Sequence, residues 1–123
     1  MPVRLSNSSV IEWPDLQTVD QAVRNWVEEQ AQKRGELLRA GYFGSYARGN
    51  WGVGSDLDLI LIVKNSSQPF LRRAQQWDVL SLPVPVDLLV YTEKEWQNLL
   101  EQGGRFPHTV EKEAVWVFQQ PHD

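Results

Sequence analysis

Residues 44–59 read GSYARGNWGVGSDLDL. The pair Gly44-Ser45 follows the apolar run Ala40, Tyr42, Phe43 and precedes a segment able to form one or two helical turns. A glycine at such a point lets the backbone approach a phosphate closely, and the unpaired amides of a helix start attract anions. Ten residues separate Ser45 from Asp56-Leu57-Asp58, and the chain then continues Leu59, Ile60, Leu61, Ile62, Val63. That run predicts a strand from Asp56 to Lys64. Side chains alternate along a strand, so Asp56 and Asp58 share one face while Leu57 and Leu59 take the other. Two carboxylates held side by side repel, and a hard divalent cation with oxygen ligands relieves them.

A third carboxylate lies in Val84-Pro85-Val86-Asp87-Leu88-Leu89-Val90-Tyr91. This reads as a second buried strand, and a charge inside one needs a partner or a cation. If the two strands are neighbours, Asp87 joins Asp56 and Asp58 around one site. Three carboxylates there suit two magnesium ions beside a bound triphosphate, the layout for in-line attack on phosphorus.

Elsewhere the periodicity predicts alternating helices and strands. Pro14-Asp15 opens a helix whose apolar stripe is Leu16, Val19, Val23, Trp26 and Val27, with Gly35 as its stop. Leu37 to Phe43 is the first core strand. Pro69 begins a helix with Phe70, Ala74, Trp77 and Leu80 buried. Pro83 and Pro85 place the next strand's start at an edge, since proline cannot donate to a ladder. Thr92 and Glu95 form a capping box for a helix that Gly103-Gly104 ends. Ala114 to Phe118 reads as a closing strand or a segment packed on the sheet. Residues 1–13, with Val10, Ile11 and Trp13, read as an extended arm. The sum predicts an α/β (α+β) domain: a small mixed sheet with helices on one side.

The bulk numbers narrow the partners. At 123 residues the expectation is a single domain, 1–123, without room for a second lobe. Net charge is -4 and the isoelectric point about 5.1. Direct nucleic-acid binding is therefore not expected, whereas a basic protein partner or a nucleotide held through metal is. Cysteine is absent, which excludes disulfides and thiolate chemistry. No apolar run approaches the ~18 residues of a membrane span, and MPVRLSNSSV lacks a signal peptide's apolar core, so a cytoplasmic protein is expected. Two histidines far apart, His108 and His122, make neither a metal site nor a general base. Lys64, Arg72, Arg73 and Lys94 read as solvated side chains, with triphosphate or partner contact as the functional alternative, and Glu111 and Glu113 read as facing solvent. Trp51 reads as a plug beneath its loop, with stacking on a base as the functional alternative.

Gly-Ser, ten residues, Asp-x-Asp and a later Asp in an apolar strand resemble the polymerase-beta-type nucleotidyltransferase superfamily. GSYARGNWGVGSDLDL is similar, more narrowly, to the minimal nucleotidyltransferases (MNT) encoded beside HEPN-domain toxins in prokaryotes. The resemblance implies the polymerase-beta-like nucleotidyltransferase fold. It further implies an enzyme that binds ATP with two Mg2+ ions held by Asp56, Asp58 and Asp87. Gly44, Ser45 and Arg48 would then contact the nucleotide's phosphates, and Asp87 would complete the metal nearest the acceptor hydroxyl. In that family the acceptor is a tyrosine of the HEPN toxin, whose ribonuclease activity is silenced by the added AMP, so the chain would be an antitoxin. Two alternatives stay open: a non-catalytic antitoxin acting by sequestration, and transfer to a small-molecule hydroxyl such as an aminoglycoside, whose enzymes usually carry a further domain.

Overall fold

The computed structural model describes residues 13–121. Its first element, α1, spans Leu16–Lys33 and begins where the Asp15 carboxylate accepts from the Thr18 amide at 2.9 Å. Val19, Val23, Trp26 and Val27 form its buried stripe, as the three- and four-residue spacing predicts. Arg34 closes it by donating its amide to Gln30, just before Gly35. The first strand, β1, is Leu37–Phe43. Tyr42 reaches back from β1 to donate its hydroxyl to Asp20 of α1 at 2.7 Å. A single helical turn, α2, occupies Ser45–Arg48, and β2 runs Leu57–Val63.

β2 is the sheet's inner spine. The strands are β1, β2, β3 (Val86–Thr92) and β4 (Val115–Gln119), in the spatial order β3-β2-β1-β4. β2 is parallel to β3 and antiparallel to β1, and β4 is antiparallel to β1 on the far edge. A strand buried on both faces reads as a continuous apolar run rather than an alternation, which is why residues 59–63 carry no polar member. Leu57, Leu59, Leu61 and Val63 pack into the cluster formed with α1. Ile60 and Ile62 pack on the opposite face with Trp96 of α4 (Glu93–Glu101) and Val110 of α5 (Arg105–Glu113).

This corrects the expectation of helices on one side only. Ile60 and Ile62 share a face with Asp56 and Asp58, and leaving them bare would expose two large aliphatic chains. The carboxylate face is therefore open only at the amino-terminal end of β2, beyond the cover of α4 and α5. The sequence reading also left residues 105–113 without an element. Pro107 is tolerated there because it lies in the first turn of α5, where its missing amide would have no helical partner.

The helix expected from Pro69 to Leu80 is cut short. α3 covers only Phe70–Arg73, a 3-10 turn follows at Ala74–Gln76, and Trp77 is already extended. Leu80, expected in the core, is 91% exposed. Trp77 instead turns onto Trp26, with ring centroids 6.3 Å apart, while the Arg34 guanidinium lies 3.8 Å above it. Trp26 fixes the same connection by donating its indole N–H to the Asp78 carbonyl at 2.7 Å. The arm of residues 1–12, with Val10 and Ile11, and His122 lie outside the described residues; Trp13 donates to the Tyr46 hydroxyl at 2.9 Å.

Arg73 is the buried charge that the sequence reading placed in solvent. Its Nη1 and Nη2 donate to the two Glu95 carboxylate oxygens at 2.6 and 2.9 Å, and Nε and Nη1 also reach the Gln68 and Val90 carbonyls. Glu95 at the same time completes the Thr92 capping box. One ion pair thus ties α3, β3 and α4 together, and its bidentate form makes it stronger than a single contact. The Arg73 side-chain hydrogen bonds, partly opposed by burial, hold the Glu95 carboxyl down to about 2. A depressed carboxylate stabilises the fold above its ordinary value of 4.5 and loses that contribution as pH falls toward 2. Glu95→Gln is therefore expected to cost about 2 kcal/mol at pH 7. In urea unfolding followed by circular dichroism across pH 2–7, the variant should show a flatter acid limb than the parent.

Candidate active site

Gly44 has φ 74° and ψ -148°, a combination essentially restricted to glycine. It lies at the junction of β1 and α2, and a Cβ placed on it would fall inside the Asp58 carboxylate. The glycine is thus demanded twice, by its backbone angles and by a carboxylate resting on its α-carbon. Phe43, the residue before it, pairs with Asp58 across β1 and β2. The turn that begins α2 is in this way pinned against the first inward carboxylate of β2. The first amide of α2 to find a helical partner is that of Arg48, which donates to the Gly44 carbonyl at 3.0 Å. The amides of Ser45, Tyr46 and Ala47 therefore precede the hydrogen-bonded ladder.

Asp58 and Asp87 are register partners across the parallel β2–β3 pair. Adjacent strands lie about 4.8 Å apart, so paired residues present their side chains on one face. Asp56 stands one step before β2 begins, near enough for its charge to act on Asp58. Asp58 is half-buried, whereas Asp56 and Asp87 are exposed. β3 is an edge strand rather than a buried one, as the two prolines before it allow, and Asp87 lies exposed on it. Burial pushes the Asp58 carboxyl up, the Asp87 and Asp56 charges push it further, and the Arg48 charge opposes them.

The residue types fit a hard divalent cation. All three are carboxylates, two are in register, and their mutual repulsion raises the proton affinity of the central one. Among the described residues, however, no three such groups are gathered closely enough to hold a metal as they stand. Asp58 and Asp87 are brought into register by the sheet, and Asp56 stands just before β2.

A pocket of about 290 Å3 opens beside the carboxylate, with Phe43, Gly44, Arg48 and Asp58 on one wall. The other wall is α5. Phe106, Thr109, Val110 and Glu113 face the cradle at i, i+3, i+4 and i+7, one stripe of the helix. Sequence reasoning missed this wall because the stripe holds only two apolar residues, so no hydrophobic period announced the helix. Glu113, expected in solvent alone, lines the pocket, and Glu111 pairs with Arg39 at 2.8 Å. A larger groove of about 590 Å3 between α1 and β4 shares no residue with the carboxylate site. Trp51 stacks on Tyr46 with centroids 5.7 Å apart, the plug beneath the loop that its position suggested. His108 Nε2 lies 2.8 Å from the Leu100 carbonyl, and Lys64, Arg72 and Lys94 are exposed.

A carboxylate raised by burial and like charge favours the protonated fold, so the parent loses stability as pH rises through the carboxylate range. Asp58→Asn removes that penalty. Its unfolding free energy is expected to exceed the parent's at pH 7 by less than about 1 kcal/mol after solvent screening, and to match it near pH 4. Differential scanning calorimetry at the two pH values checks this; a variant less stable at pH 7 would contradict it. Gly44→Ala should destabilise by about 1–3 kcal/mol, because the new methyl meets both strained angles and Asp58.

Residues 24–117 match the family model of the nucleotidyltransferase domain. A crystallised Sulfolobus solfataricus protein, provisionally assigned as a nucleotidyltransferase, superposes with a TM-score of 0.62 at 22% identity. That match covers 85% of this chain and 84% of the other. A toxin-antitoxin complex crystallised with AMP-PNP gives a TM-score of 0.48 at 17% identity, over 79% of this chain and 73% of that one. Among curated proteins, none matches in sequence. With the family model covering most of its length, the chain belongs to the nucleotidyltransferase domain family.

Proposed function

We propose that this chain transfers AMP from ATP to a tyrosine hydroxyl of a partner protein, an HEPN-domain ribonuclease toxin, and so acts as its antitoxin. The observation that carries the chemical half of the reading is the register pairing of Asp58 with Asp87 directly beside Gly44. The choice of ATP and of the HEPN partner rests on the resemblance of GSYARGNWGVGSDLDL to the minimal nucleotidyltransferases. The net charge of -4 suits a protein partner better than a nucleic acid.

In the proposed reaction the acceptor oxygen attacks the α-phosphorus in line, the bond to the bridging oxygen of the β-phosphate breaks, and pyrophosphate leaves. The amides at the start of α2 and the Ser45 hydroxyl bind the terminal phosphates, a task for which free helix-start donors are suited. Arg48, exposed at the rim, adds positive charge to the same phosphates. Asp56, Asp58 and Asp87 would hold two Mg2+ ions, which when bound offset the carboxylate repulsion and the charge building on phosphate oxygens. Asp87 receives the proton of the arriving hydroxyl in this reading, a role that its exposure at the sheet edge supports. Among the described residues no helix is long and apolar enough to cross a membrane, so nothing in them hinders a partner in the aqueous phase.

The test is the intact mass of the partner after incubation with this chain, magnesium and each of the four ribonucleoside triphosphates. The expected result is a gain of one or more AMP units with ATP, abolished by Asp56→Asn, Asp58→Asn. A tight complex with no mass gain, and neutralisation that survives the double substitution, would favour sequestration instead. Transfer to an aminoglycoside with none to protein would favour the small-molecule acceptor.

A further inference from the structure

The two edges of the sheet are built differently. β3 is entered through Pro83 and Pro85 and carries the exposed Asp87, and prolines and charges keep a sheet edge from pairing with another chain. β4 has neither. Val115–Gln119 reads VWVFQ, and its four apolar residues are all only partly buried. β1 pairs with one side of β4, and among the described residues nothing pairs with the other. Beside β4 lies the groove of about 590 Å3, with Val27, Ala31, Val117 and Phe118 as its apolar part and Arg24 and Glu28 on its α1 wall. Arg24 pairs with Asp20 at 2.7 Å, whereas Glu28, exposed one turn on, has no cationic partner among the described residues.

We infer that the free edge of β4 pairs antiparallel with β4 of a second copy of this chain, joining two four-stranded sheets into one. A strand paired with itself about a two-fold axis needs no second sequence, because each outward amide meets an outward carbonyl of the same strand. Charge complementarity selects a second copy as the occupant. α1 runs in the same direction as β4: Asp20 accepts from Tyr42, the register partner of Val115, and the carbonyl of Gly35 accepts from Gln120 at 3.2 Å. Between those two ties the middle of the strand, Val117, falls level with Trp26, midway from Arg24 to Glu28. A two-fold axis through Val117 keeps the second α1 on the same face of the sheet and turns it end for end. Arg24 of each copy then lies opposite Glu28 of the other. Rim pairs of this kind set register and partner choice more than strength, so the dimer is reversible and depends on concentration. The two β3 edges stay at the far ends of the joined sheet, which leaves Asp87 of both copies open. The inference does not depend on the nucleotidyl-transfer reading.

The experiment is sedimentation equilibrium of the full chain alone over about 1–500 μM, with hydrogen exchange measured at both ends of that range. It compares the parent, Glu28→Arg, and the charge-exchanged pair Arg24→Glu, Glu28→Arg. For the parent the mass is expected to rise from 14.2 kDa toward twice that value, with slower exchange in residues 115–119 and no change in β3. Glu28→Arg sets arginine against arginine and is expected to weaken the dimer about tenfold, while the charge-exchanged pair recovers to within about threefold of the parent. Both substitutions fall at exposed positions, and melting followed by circular dichroism reports that each variant is folded. A parent that stays monomeric throughout overturns the inference. So does a dimer whose β4 exchange is unchanged, or one that Glu28→Arg leaves as tight. Exchange in β4 that slows only in a complex with the proposed toxin partner would give the edge to that protein and overturn the second copy.

Discussion

The contact between the Gly44 backbone and the Asp58 carboxylate is the constraint from which the site follows. It can form only if residue 44 has no side chain and adopts a backbone conformation that other residues avoid. That in turn fixes where β1 ends and how α2 starts, and it places three unladdered amides next to the first inward carboxylate of β2. The apolar weight of β2, buried on both faces, makes this junction rigid. Leu59, Ile60 and Leu61 are fully buried, so Asp58 cannot retreat from Gly44 without disturbing both core clusters.

The arrangement is costly to the fold. Asp58 is half-buried beside two like charges, and its proton affinity rises accordingly. The ion pair of Arg73 with Glu95 works in the opposite direction, holding β3 against α4 and so keeping Asp87 in register although its strand has a neighbour on one side only. Charge repulsion at one end of β3 and a buried bidentate pair near the other are thus mechanically linked through a seven-residue strand. Function-bearing sites commonly concentrate such local conflict while the surrounding structure supplies the stability.

Much of this was legible from residue order alone. The strand Leu37 to Phe43, the apolar run of β2 and the Thr92–Glu95 cap each depend on spacing within one element, and spacing is what a sequence displays. What was not legible depends on contacts between elements. Leu80 looked like core because it continues a helical stripe, yet Trp77 breaks the helix to reach Trp26 and Arg34. Arg73 looked solvated because its partner lies 22 residues away. The burial of Ile60 and Ile62 by a second helical layer follows from α5, which a proline in its first turn and only two inward apolar residues kept hidden. With α5 unseen, the wall formed by Phe106, Thr109 and Glu113 could not be placed at the site.

The central claim is that the Gly44–Asp58 junction, with Asp87 in register, performs nucleotidyl rather than phosphoryl transfer. The measurement that tests it most directly follows the two ends of ATP separately, with label in the α-phosphate or the γ-phosphate, during incubation with the partner protein and magnesium. The account predicts that α-label becomes covalently attached to the acceptor while γ-label is released in pyrophosphate. Covalent capture of γ-label, or release of orthophosphate with no α-label transferred, would contradict it.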